Sequence, residues 1–162
     1  LNKGWSVAKE LLVHERKLMS EIGSDSPREV IVPNAAAREY LDFEHGKIAD
    51  SQLRSDLVDY DMNMHAIGLT HFRTFEEKIA GVRSAAPMVM KYVGTEAEVT
   101  KSELLLAIMG SQGLGWEGDG FSKSEIDTLR LWAMSKIMTI AGGTSEIQLN
   151  VIAKNVLQLP QS

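Results

Sequence analysis

Apolar residues recur at steps of three and four along nearly the whole chain, the spacing of helices that each bury one face, while no stretch alternates strictly enough to read as a strand. The pattern predicts an all-α fold. A first helix is predicted from about Lys3 to Ile22, where Trp5, Ala8, Leu12, Met19 and Ile22 form one row and Val7, Leu11 and Leu18 a second. Gly23-Ser24-Asp25-Ser26-Pro27 ends it. A shorter, weakly amphipathic helix follows Pro33, from Asn34 to Glu44, built on Ala35, Ala36 and Ala37 and stopping near Gly46. The third spans roughly Ser51 to Ala80, about 45 Å, with Leu53, Leu57, Tyr60, Met64, Ile67, His71 and Phe75 on one stripe. Pro87 opens a fourth that runs to Met109, with Val89, Val93, Val99 and Leu106 as core candidates. Five glycines in the eleven residues Gly110 to Gly120 read as loop. Two last helices, Lys123 to Ile140 and Thr144 to Leu157, flank Gly142-Gly143. Four long members with short links make an antiparallel, up-down four-helix bundle with additional short helices, one domain over residues 1–162 without internal repeats.

Composition narrows the chemistry. A chain of 162 residues, 44% hydrophobic, buries enough surface to hold itself together without staples. It contains no cysteine, which excludes thiolate catalysis, Cys-ligated zinc, iron–sulfur clusters and disulfides, and suits a cytoplasmic setting. The net charge of −5 comes with no basic block, so a nucleic-acid surface, which needs clustered Lys and Arg, is not expected. The richest apolar run, Leu104 to Met109, is six residues against the about 18 that a membrane span requires. The opening Leu1-Asn2-Lys3-Gly4-Trp5 has neither an initiator Met nor the character of a leader and reads as a mid-protein start. His14, His45, His65 and His71 make no His-x-x-x-His or Glu-x-x-His pairing, so no metal site is expected.

Three features can carry chemistry. In the row Trp5, Ala8, Leu12, Glu15, Met19, Ile22 a carboxylate occupies an apolar seam, so Glu15 is expected to face inward. A buried carboxylate is paired or takes up a proton, which leaves two readings: a catalytic base, or a structural ion pair with Arg16 or a cation of another helix. The second feature is Ala141 to Gln148, where a glycine pair leads into a helix that Thr144 or Ser145 can cap, with Ser145 and Gln148 in capping-box register. Such a helix start offers N–H groups to an anion or a carbonyl oxygen, or merely turns a corner. The third, Gly110 to Gly120, matches neither a P-loop nor a dinucleotide fingerprint and reads as a crossover or as backbone that meets a ligand.

The stretch Ile140-Ala141-Gly142-Gly143-Thr144-Ser145-Glu146-Ile147-Gln148 through Asn150-Val151-Ile152-Ala153-Lys154 to Leu159-Pro160 resembles the C-terminal signature of the acyl-CoA dehydrogenase family. The opening, Gly4-Trp5-Ser6-Val7-Ala8 through His14-Glu15-Arg16, resembles the start of that family's C-terminal helical domain, and Leu104 to Gly113 its Gly-rich flavin-contacting turn. The resemblance implies FAD as cofactor, an acyl-CoA substrate oxidised to the trans-2-enoyl-CoA, and an electron-transfer flavoprotein or similar acceptor. It also implies a tetramer, and further N-terminal and middle domains without which residues 1–162 have no activity. Most members carry the catalytic Glu just before the Gly-Thr of the signature, where this chain has Gly142. A second arrangement, in the isovaleryl-CoA and long-chain types, places it on the first helix before an Arg, which corresponds to Glu15 and Arg16.

The resemblance therefore implies Glu15 as the base, Arg16 bordering acyl-CoA, and Gly142 and Gly143 beside the thioester. Thr144, Ser145 and Glu146 would lie against FAD, and Ser111, Gln112 and Gly113 would reach the flavin of a neighbouring subunit. The family's Arg-x-x-Phe-Gly would end at His45-Gly46, which leaves Asp42 for the Arg and His45 for the Phe. A carboxylate opposite a pyrophosphate is repulsive. That departure makes a heterotetramer with a related subunit an alternative to the homotetramer, and a non-catalytic assembly domain an alternative to the enzyme.

Overall fold

A computed structural model of the chain describes residues 3–21, 31–82 and 85–160, and the side chains among them other than those at 13 and 15–21. Six helices occur among the described residues: α1 (Gly4–Glu21), α2 (Pro33–Tyr40), α3 (Ser51–Ile79), α4 (Ala86–Met109), α5 (Lys123–Met138) and α6 (Ser145–Asn155). The all-α, up-down architecture expected from the periodicity is the one observed. α4 is its hub, with α2, α3, α5 and α6 all packed around it. This explains why its most buried residues are Leu104, Leu105, Ile108 and Met109, on adjoining faces, while Val89, Val93, Val99 and Leu106 are half-buried.

The second helix is shorter than the sequence predicts. It stops at Tyr40 because Leu41 turns extended (φ −108°, ψ 146°). A two-residue hairpin follows, β1 (Phe43–Glu44) against β2 (Lys47–Ile48), antiparallel with Phe43 opposite Ile48. His45 and Gly46 both have positive φ, +51° and +76°, as a tight two-residue hairpin turn demands. The hairpin buries Ile48 and delivers Asp50 to the start of α3, where its carboxylate accepts from Gln52 N at 2.8 Å and Leu53 N at 2.9 Å. The expected glycine loop also begins as structure, a 3-10 turn over Gly110–Leu114. Beyond it, Gly115 lies against the Phe121 ring, so close that a Cβ there would fall 2.2 Å from the ring.

The apolar core sits at one end of the bundle. Ala36, Ala37, Ile48, Leu57, Leu104, Leu105 and Ile108 form it, where α2 and the hairpin cross the start of α3 and the end of α4. Further along, α4 and α5 approach through small residues: the buried Ser102 Oγ lies 3.1 Å from Ser135 Oγ, and each hydroxyl also bonds a carbonyl of its own helix. On α3 the predicted stripe is inward from Leu53 to Ile67, but Phe75 is exposed, and a second apolar row, Val58, Met62, Leu69, Phe72 and Ile79, faces outward.

Glu125 ties the core end to α5. Ser122 and Glu125 form a full capping box: Ser122 N donates to the carboxylate at 2.6 Å and the Ser122 hydroxyl accepts from Glu125 N. Tyr40 of α2 donates its hydroxyl proton to the same carboxylate at 3.0 Å. The Ser122 N–H, and after it the Tyr40 and Ser122 hydroxyls, hold the Glu125 pKa below the ordinary carboxylate value against the opposing effect of burial. Burial first, and the Glu125 contact second, push Tyr40 up to about 12. A depressed carboxylate stabilises the fold above its unfolded pKa and loses that contribution as pH falls through the folded value; a raised tyrosine does so below about 10 and loses it toward 12. Tyr40→Phe is therefore expected to cost about 1 kcal/mol, constant from about pH 5 to 9 and shrinking on either side, in urea melts run against pH. A cost independent of pH across the acid range would refute the pairing.

Candidate functional site

The far end of the bundle is organised by polar bonds rather than by a core. α5 ends at Met138, and the Ile140 and Ala141 N–H groups turn back onto Ile137 O at 3.0 and 2.9 Å. Gly142 (φ +71°) and Gly143 (φ +109°) then reverse the chain in conformations that only glycine takes without strain. Ser145 N closes the turn on Thr139 O at 3.1 Å.

Thr144 caps α6, its hydroxyl accepting from Ile147 N at 3.3 Å. The capping box expected between Ser145 and Gln148 is not what forms. With Thr144 at the cap, Ser145 is the first helical residue and turns to α4, while Gln148 Nε2 donates back to Gly142 O at 3.4 Å. Gln148 closes the space beside Gly143, whereas a Cβ at Gly142 would meet nothing within 4 Å. The turn thus has one packed side and one open side.

Two residues of α4 fasten this turn. Lys91 Nζ donates to Gly143 O at 2.8 Å and to Met138 O at 3.2 Å, satisfying a carbonyl at the end of α5 together with one of the turn. Burial lowers the Lys91 pKa, with Glu96 acting in the opposite sense. Glu96 Oε1 accepts the Ser145 hydroxyl proton at 2.6 Å. Glu146 is exposed, and its pKa is lowered by the Thr144 hydroxyl and then by its own N–H at the helix start. A groove of about 350 Å³ runs along the turn, between Thr144, Ser145 and Glu146 on one side and Glu96, Val99, Lys136 and Thr139 on the other.

The sequence-predicted site residues fall into three places. Gly142, Gly143, Thr144, Ser145 and Glu146 are together in the turn. Ser111 and Gln112 are exposed on the 3-10 turn, with Gly113 buried beside them, tight against Leu106 and Met109. These two groups stand apart along α4, since Ser145 is bonded at Glu96 and the rise from there to Gly110 is about 21 Å at 1.5 Å per residue, so one copy of the chain does not bring them into one small site. Glu15 and Arg16 lie on α1, and their side chains are outside the described residues. The row that carries Glu15 does not form the inward seam expected of it over its described members: Trp5 is 70% and Leu12 45% exposed, with Ala8 half-buried. The reason is that the apolar rows of α1 find little cover in this chain, since Val7 and Leu11 of the second row are exposed as well.

Sequence reasoning missed Lys91, Glu96, Tyr40 and Glu125. Lys91 and Glu96 sit in a largely apolar helix, and that interruption of the Pro87 to Val99 pattern was the one signal available.

The family model described as acyl-CoA dehydrogenase, C-terminal domain, matches residues 2–157. The chain belongs to the acyl-CoA dehydrogenase family. Comparison with individual curated proteins and with solved structures gave no match. Members of the acyl-CoA dehydrogenase family are generally FAD-dependent oxidoreductases, and the all-α fold described above is consistent with this C-terminal domain. No helix among the described residues of this family member is long and apolar enough to cross a membrane.

Proposed function

We propose that this chain is the C-terminal domain of an FAD-dependent acyl-CoA dehydrogenase that converts an acyl-CoA thioester to the trans-2-enoyl-CoA in the cytoplasm. The observation that carries the reading is the turn over residues 141–148, which has the family's signature sequence and is built with its Gly142 side open and its Gly143 side packed. The residues fit one edge of a flavin. Thr144, Ser145 and Glu146 line the groove with hydroxyls and a carboxylate, and because Glu146 already complements the α6 N-terminus, the turn suits a neutral polar ring better than a phosphate. Bound FAD would supply the hydride acceptor.

Glu15 acts as the base, taking the α-proton while the β-hydrogen leaves with its electron pair and the C=C bond forms. The site before the signature's Gly-Thr supports this assignment, because Gly142 stands there and has no side chain to act as a base. Gly142 and Gly143 lie beside the thioester, Arg16 borders the acyl-CoA, and an electron-transfer flavoprotein or similar acceptor reoxidises the flavin. Ser111, Gln112 and Gly113 serve the flavin of a neighbouring subunit in a tetramer, a use that their separation from the turn favours.

The test is anaerobic addition of an acyl-CoA panel to the complete protein. It is expected to purify yellow and to lose its flavin absorbance with at least one acyl-CoA, while residues 1–162 by themselves cause no bleaching. A yellow protein that no acyl-CoA bleaches would overturn the reaction. One observation favours a second reading, a non-catalytic assembly subunit of a heterotetramer: Asp42, where the family has a flavin-gripping Arg, is exposed at the mouth of the hairpin. A complete protein that is colourless yet assembles with a related chain would establish it.

A further inference from the structure

Lys91 and Glu96 of α4 reach the glycine turn by hydrogen bonds, and the apolar cluster of the fold lies at the other end of the bundle. Gly142 and Gly143 are conformationally permissive, so the direction in which Thr144, Ser145 and Glu146 point depends on the bonds that hold the turn. Ser145 N on Thr139 O and Gln148 Nε2 on Gly142 O close the turn locally, and α4 ties it to the rest of the bundle. One ammonium spans Met138 O and Gly143 O, which lie on either side of the reversal, and one carboxylate holds the Ser145 hydroxyl at the first residue of α6.

We propose that Lys91 and Glu96 are positioning residues for the flavin site: they clamp the two ends of the Gly142-Gly143 turn to α4 and so set the register in which Thr144, Ser145 and Glu146 meet the cofactor. The inference rests on the functional reading above. Neither side chain is assigned contact with cofactor or substrate; Lys91 acts through backbone carbonyls and Glu96 through Ser145. Lys91 has only donors to offer and finds two carbonyls, whereas Glu96 has only acceptors and finds a hydroxyl, so a carboxylate at position 91 would make neither carbonyl bond. Loss of Lys91 takes a donor from Met138 O and Gly143 O, and loss of Glu96 takes the acceptor from the Ser145 hydroxyl, penalties that fall on the turn itself.

The experiment uses the complete flavoprotein with Lys91→Met, which keeps the stem and removes the donors, Lys91→Arg, which keeps charge and donors, and Glu96→Ala alone and combined with Ser145→Ala. Amide exchange of residues 141–147 is read beside FAD dissociation, the visible flavin spectrum, and kcat and KM separately. Lys91→Met is expected to raise exchange in the turn at least about tenfold, weaken FAD binding by about tenfold, and lower kcat with KM little changed, with Lys91→Arg recovering most of each. Glu96→Ala and Ser145→Ala are expected to be non-additive, as partners in one bond are. Unchanged turn exchange in Lys91→Met, or loosened exchange with FAD affinity, spectrum and kcat all as in the parent, would overturn the proposal. Additive effects in the Glu96 and Ser145 cycle would overturn the Glu96 half of it. If Lys91→Met fails to fold, Lys91→Gln and the Glu96 cycle carry the same readouts. A parent protein that takes up no FAD is recognised without any variant; it ends the functional reading, and this inference with it.

Discussion

Glu15→Gln in the complete flavoprotein is expected to slow acyl-CoA-dependent bleaching of the flavin by about 10²–10⁴-fold while acyl-CoA still binds, because the amide keeps the shape of the carboxylate and cannot accept the α-proton. KM should move little, since the lost interaction is made in the transition state, and the binding of an enoyl-CoA product should be nearly unchanged. Gly142→Glu in the same background places a carboxylate at the position most family members use, at about 1–2 kcal/mol of strain for φ +71°, and the bleaching it restores measures how far that position replaces Glu15. Stopped-flow absorbance under nitrogen reads both. Equal bleaching by parent and Glu15→Gln would transfer the proton to another group and leave the family membership untouched.

The largest loss of stability is expected from Ile108→Ala. Ile108 is 3% exposed and belongs to the cluster in which α2, the hairpin, α3 and α4 meet. Cutting it to Ala removes its transfer energy and leaves a cavity that these four elements, pinned by Asp50 and by the Tyr40 to Glu125 bond, cannot close. The expected cost is about 3 kcal/mol, or roughly 10 °C in Tm for a domain of this size. Ile108→Val, which removes one methylene, should cost about 1 kcal/mol. Urea melts of the two variants provide the check, and a loss below about 1 kcal/mol for the Ala variant would mean that this cluster is not the centre of the fold.

Much of the fold was legible because the relevant signals are local. The starts expected for α3, α4 and α5 at Ser51, Pro87 and Lys123 fall within a residue of those observed, because helix start signals act on their own turn. The hairpin after α2 was not legible. Its turn uses His45-Gly46, with a residue at +51° that carries no strong preference for that region, and its strands are two residues long, too short to show alternation. Within the candidate site, the signature glycines and Thr144 could be read off the chain, whereas their fastening by Lys91 and Glu96 could not. Those two residues lie roughly fifty positions upstream, and nothing in their own neighbourhood says which carbonyls they will meet.

By itself, the sequence determined the helical architecture and the family, because period, capping and signature residues are properties of neighbours along the chain. Tertiary structure decided the rest. It chose which of the two apolar rows of α3 turns to α4, placed the core at one end and the polar clamp toward the other, and set Ser111 and Gln112 apart from Thr144 and Ser145 along α4. A hydrophobic period states that a face will be buried; which face of which partner buries it depends on the crossing of rigid helices and on the bonds that remain to be satisfied where they meet.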